Sequence, residues 1–183
     1  MSALSASPLS KNIVAGAIGE SGSLLGKHST VSLSEAEQTG KKFSDSLGAT
    51  SLAELRAMPT EKILEETAKP GLSKFSVDVD GYFFPKSPVE IYVSGMQAKV
   101  PLLVGWNSQE GSYQTILGQA APTPENFAKA MQKRFGDDAD EVLTVYNVND
   151  VESIQQLSTD LAGDLFIGFE TWKWSDLQST TVR

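Results

Sequence analysis

The chain has 183 residues, 40% of them hydrophobic and 21% charged, and carries a net charge of -8. That length accommodates one domain with a sizeable core, and the charge excludes the basic stripe that a phosphate backbone requires. The absence of cysteine excludes disulfides, thiolate catalysis and cysteine metal sites, and a single histidine, His28, excludes a histidine-rich metal site.

A purely carboxylate metal site stays open, although the chain does not show the spacing of a calcium loop. The lysines and arginines that do cluster, Lys41-Lys42 and Lys133-Arg134, read as solvated faces. No stretch approaches the roughly 20 apolar residues that span a bilayer. The start, Met1 to Pro8, lacks the cationic and apolar regions of a signal peptide. Localisation therefore stays open, the more so if the natural N-terminus lies upstream.

Residues 1 to 10 look like the tail of a helix. The run Ile13 to Gly19 has strand length and the unbroken apolarity of a strand buried on both faces. Ser34-Glu35-Ala36-Glu37 has capping-box spacing, and Phe43 and Leu47 continue an apolar face that Gly48 ends. Ser51 to Glu54 signals a short helix stopped by Pro59, and Thr60 caps another with Ile63 and Leu64 facing inward. Residues 70 to 98 read as irregular, punctuated by Pro70, Gly71, Gly81, Pro85, Pro88 and Gly95.

Val100 to Gly105 predicts a second buried strand, provided Pro101 sits at its start. Thr123-Pro124 opens a helix lined by Phe127, Met131 and Phe135, and Asp137 to Tyr146 forms the next. Asp150 caps a long final helix whose stripe is Ile154, Leu157, Leu161, Leu165, Phe169 and Trp172. Two buried strands among many helices make an incomplete α/β pattern, since two strands alone do not form a stable parallel sheet.

Four segments, in order, resemble the type-B carboxylesterases, the family of bacterial para-nitrobenzyl esterases and cholinesterases. They are Ser7 to Lys11 with Gly16 to Gly22, Val79 to Pro85, Pro101 to Tyr113, and Asp160 to Asp164 with Phe166 and Thr171 to Trp174. The resemblance implies an incomplete α/β-hydrolase fold: residues 1–183 as one partial domain, truncated at both ends, holding the central portion of a mostly parallel sheet with helix-rich insertions. It implies a serine hydrolase of small-molecule carboxylic esters that works through an acyl-enzyme and needs no metal or organic cofactor. The nucleophile would lie shortly before Met1 and the histidine beyond Arg183.

Within that resemblance Glu110, in a turn beyond the second strand, is similar to the family's triad acid. Taken by itself it is an ordinary loop glutamate. Ser21 matches the serine whose hydroxyl supports that acid; a plain strand-end serine is the alternative. It is not the nucleophile elbow, because Gly19-Glu20-Ser21-Gly22-Ser23 departs from Gly-x-Ser-x-Gly and no clear helical start follows.

His28 precedes the acid, against the serine–acid–histidine order of these folds, and reads as a loop histidine. Asp80 with Gly81 reads as a structural Asx-type turn. Trp172 and Trp174 are expected to pack against strands outside this sequence.

With one triad member present, the chain alone is expected to be inactive. A non-catalytic adhesion-type domain of similar fold is the rival reading. A fragment without independent function, poorly soluble through exposed strand edges, is compatible with an esterase parent.

Overall fold

The computed structural model describes residues 1–26, 30–69, 75–148 and 153–180. Its centre is a parallel pair, β1 (Ala17–Glu20) and β4 (Leu102–Gly105), in the register Ala17 to Leu102 through Glu20 to Gly105. Pro101 stands just before β4, where a missing N–H costs nothing, and its carbonyl accepts from Ala17 N at 2.9 Å. A second parallel pair, β2 (Thr30–Ser32) with β3 (Val77–Val79), forms a separate two-stranded sheet that the sequence reading does not anticipate.

The strand expected over Ile13 to Gly19 begins only at Ala17, and Ile13 is 83% exposed. It is also not buried on both faces. Alternate residues point to opposite sides, so Ala17 and Gly19 face α10 (Phe169–Ser179), whereas Ile18 and its partner Leu103 are 61% and 68% exposed. An apolar run fixes that both faces can be covered, not that they are.

Local signals shape most helices. The first, α1 (Ser2–Ala6), is short and stops before Pro8. In α2 (Leu33–Ser46) the capping box is Ser32 with Glu35, two residues earlier than Ser34, and the chain leaves through Gly48 at φ 69°. Ser51 caps α3 (Leu52–Ala57) through Glu54 N, as its spacing predicts. In α4 (Thr60–Thr67) Thr60 is the first helical residue rather than the cap, and Leu64 faces solvent.

The supposedly irregular stretch before β4 contains β3 and α5 (Pro88–Val93). Ser87, Pro88 and Glu90 are a capping box with proline at the first helical position, a signal the glycines and prolines around it obscure. Asp80 makes its turn: Oδ1 accepts from Tyr82 N at 3.0 Å and Phe84 N at 2.9 Å, with Gly81 at φ 77°.

Beyond β4 come α6 (Tyr113–Leu117), α7 (Pro124–Phe135), a 3₁₀ turn over Gly136–Asp138, and α8 (Ala139–Val145). Phe127 and Met131 of α7 are fully buried against Ile116, Leu117, Leu157 and Leu161, forming a helical core. Asp150, the expected cap, lies outside the described residues; Ser153 caps α9 (Ile154–Gly163).

The long final stripe runs straight only through Leu161. A π-helical turn, Asp164–Gly168, joins α9 to α10, and thereafter Ile167, Thr171, Trp174 and Gln178 are buried instead of Leu165, Phe169 and Trp172. The helix changes partner halfway. α9 packs on α6, whereas α10 packs on β4 and joins a second core with Ala17, Leu25, Phe84, Ile91 and Tyr92.

Candidate functional site

Strands β1 and β4 run parallel, so their carboxyl ends lie side by side, the place where open α/β sheets gather functional groups. Ser21 follows β1 directly and extends the ladder, its amide donating to Gly105 O at 2.9 Å. Among the described residues it is the one non-glycine with a left-handed backbone, φ 53°. Such a conformation costs on the order of 1–2 kcal/mol and persists where the surroundings enforce it.

The enforcement is visible. Gly22, at φ 109°, donates its amide to Thr171 Oγ1 at 2.8 Å, and Ser23 Oγ donates to Glu170 O at 2.8 Å. Both acceptors sit on α10. No helix follows Ser21 in residues 22–26, unlike a nucleophile elbow.

On the neighbouring strand the chain leaves β4 and turns at Asn107. Glu110 Oε1 accepts from Asn107 N at 2.8 Å and Asn107 Nδ2 at 2.9 Å. The same oxygen accepts from Ser21 Oγ at 2.5 Å, across 89 residues of sequence. Oε2 has no hydrogen-bond partner among the described residues.

The Ser21 hydroxyl first, and then the Asn107 amide, hold the Glu110 carboxyl below the usual carboxylate range, against a smaller opposing effect of lost hydration. Glu110 is thus an anion at neutral pH, with one oxygen saturated and the other open.

The turn is pinned from behind. A Cβ on Gly111 would stand 2.5 Å from Gly163 N and 2.6 Å from Ala162 Cβ, so only glycine lets Glu110's turn lie this close to α9. A concavity of about 490 Å³ opens beside it, lined by Gln109, Ser112, Tyr113, Gln156 and Thr159 among others; neither Ser21 nor Glu110 lines it.

Of the residues singled out in the sequence, Ser21 and Glu110 come together and Asp80 stays in its own turn. His28 lies outside the described residues. Trp174 is buried against β1, whereas Trp172 is half exposed and tilted over Phe169, ring centroids 6.0 Å apart. Asn107 and Thr171 were not singled out. Asn107 had a local signal, an amide side chain three residues before the glutamate, but Thr171 had none, since its partner is 149 residues away. Among the described residues no group of three or more acids and histidines could hold a metal ion, and no helix is long and apolar enough to cross a membrane.

A sequence profile described as "Carboxylesterase family" matches residues 1–173. Carboxylesterase 1C of Rattus norvegicus is 28% identical over an alignment of 186 positions that covers 92% of this chain and 34% of that protein. Carboxylesterase 1C of Mus musculus is likewise 28% identical, over an alignment of 191 positions with the same coverage of 92% and 34%. The chain thus spans about a third of the length of the curated relatives it matches.

Proposed function

Because this chain belongs to the carboxylesterase family, a family of α/β-hydrolase fold, we propose that it supplies the acid of a Ser–Glu–His triad in a hydrolase of carboxylic esters. Glu110 is that acid and Ser21 fixes it. The nucleophile and the histidine come from polypeptide beyond these 183 residues, which are part of one larger domain. The helices and few parallel strands seen here are consistent with such a part.

One observation carries the reading. Three donors converge on Glu110 Oε1 while Oε2 is left open at the carboxyl ends of two parallel strands. A triad acid must do two things: hold an imidazole N–H in one orientation, and stay anionic while that imidazole takes the nucleophile's proton. Saturating Oε1 fixes the carboxylate plane and its charge. Oε2 is then the atom that accepts the imidazole N–H and stabilises the imidazolium. Ser21 has its hydroxyl committed to a carboxylate, which suits a supporting donor better than an attacking oxygen.

Substrates on this reading are small carboxylic esters, and p-nitrophenyl esters, which release a coloured phenolate on hydrolysis, are suitable probes. The 183-residue chain alone should not turn them over. In the whole protein Glu110→Gln should lower kcat by roughly 10⁴, as an acid-to-amide change does in a serine triad. A loss below about tenfold would remove Glu110 from the role.

A further inference from the structure

We infer that Thr171 is a positioning residue for the Ser21–Glu110 pair, and that the helix running from Ile154 to Ser179 is the common support on which both halves of the pair are set. Its bearing on catalysis rests on Glu110 being the triad acid; the geometry does not.

Thr171 is fully buried, and its hydroxyl is used twice. It accepts from the Gly22 amide at 2.8 Å and donates to Ile167 O at 2.7 Å. The Gly22 amide is the backbone group next to Ser21, so this bond fixes the turn in which Ser21 holds its left-handed conformation. Without that acceptor the Gly22 N–H is left unsatisfied, and the turn can relax away from φ 53°. The Ser21 hydroxyl would then leave Glu110. On the other side of the pair, Gly111 seats the Glu110 turn against Ala162 and Gly163 of the same helix.

Between Gly163 and Thr171 lies the π turn, and its setting is specific. Tyr146 donates its hydroxyl to Asp164 Oδ2 at 2.5 Å, and Gly168 leaves room for the same carboxylate, since a Cβ there would stand 2.9 Å from Asp164 Oδ1. Each residue of an α-helix advances about 100° around the axis. The π turn therefore sets the angle between the side of the helix that meets Gly111 and the side that meets Gly22. Such turns recur at functional sites.

The test is a ¹³C NMR titration of the Glu110 carboxyl in this chain, in wild type, Thr171→Val, Thr171→Ser and Gly40→Ala. Valine keeps the shape and loses the hydroxyl; serine restores it. A Cβ at Gly40 in α2 would meet nothing within 4 Å and lies away from the pair, so alanine there serves as the control. We expect the Glu110 midpoint to rise toward 4.5, the ordinary glutamate value, in Thr171→Val and to stay at the wild-type value in the other two.

A Thr171→Val chain that melts cooperatively with an unmoved Glu110 midpoint overturns the inference. If that variant does not fold, amide exchange at Gly22 in Thr171→Ser decides: protection kept supports the inference, protection lost overturns it. A whole protein that retains turnover as Glu110→Gln would sink the triad reading while leaving this inference standing, and an unmoved titration would do the reverse.

Discussion

The indole of Trp174 lies over Gly19 so closely that a Cβ on that glycine would stand 2.3 Å from ring atom Cζ3. The strand that leads into Ser21 and the helix that carries Thr171 are thus in contact through a residue with no side chain, and Trp174 is itself only 2% exposed. The Gly19 backbone is a shelf for the ring.

Gly19→Ala should therefore destabilise by about 1–3 kcal/mol, because the methyl has to push a buried indole aside. Gly16→Ala, where a Cβ would meet only Pro101 O at 3.7 Å, should change stability by less than about 0.5 kcal/mol. Urea midpoints of the two variants make the comparison. Equal midpoints would mean that the ring moves freely.

Acid should weaken the fold in part through Glu110. Its folded pKa lies below the unfolded value near 4.5 because Ser21 and Asn107 bind the charged form. The contribution is then fully present above that unfolded value and is lost as pH falls through the lower, folded one. Glu170 works in the opposite sense: burial raises its pKa, so its ionisation opposes folding as pH rises past 4.5. Replacing Glu110 by Gln should narrow the stability gap between neutral pH and about pH 3, measured by denaturant unfolding at each pH. A gap as wide as in wild type would contradict this.

Asp80→Ala should cost about 1–2 kcal/mol, since Tyr82 N and Phe84 N lose their shared acceptor at the turn into Phe84, a buried member of the sheet-side core. Asp80→Asn retains a carbonyl oxygen and should recover most of that loss. Thermal melts of the pair report it; an alanine variant as stable as wild type would show the turn to be held elsewhere.

What was legible in the sequence was what neighbours in the chain decide. Ser51 with Glu54, Thr123 with Pro124, and Asp80 with Gly81 each act within four residues, and each is found where the pattern puts it. The limits of β1 were not legible, because whether Ile13 and Ile18 are covered depends on packing far along the chain. The stripe through Leu165, Phe169 and Trp172 failed for a related reason: periodicity assumes one helix and one partner, and this helix has two.

The site divides the same way. Glu110 and Ser21 came from family resemblance, not from spacing, and they do meet in space. Asn107 was readable locally. Thr171 was not, since a buried threonine in a helix looks like any other until the fold brings Gly22 to it.

A helix shared between two cores also sets how the molecule comes apart. Residues 154–163 belong to the cluster of Phe127 and Met131, residues 169–179 to that of Tyr92 and Trp174, and the π turn is the seam between them. Local opening follows such divisions of packing. Amide protons on either side of Asp164–Gly168 should exchange as two groups with separate protection levels, and the Ser21–Glu110 bond, anchored on both sides, should break with whichever half opens first.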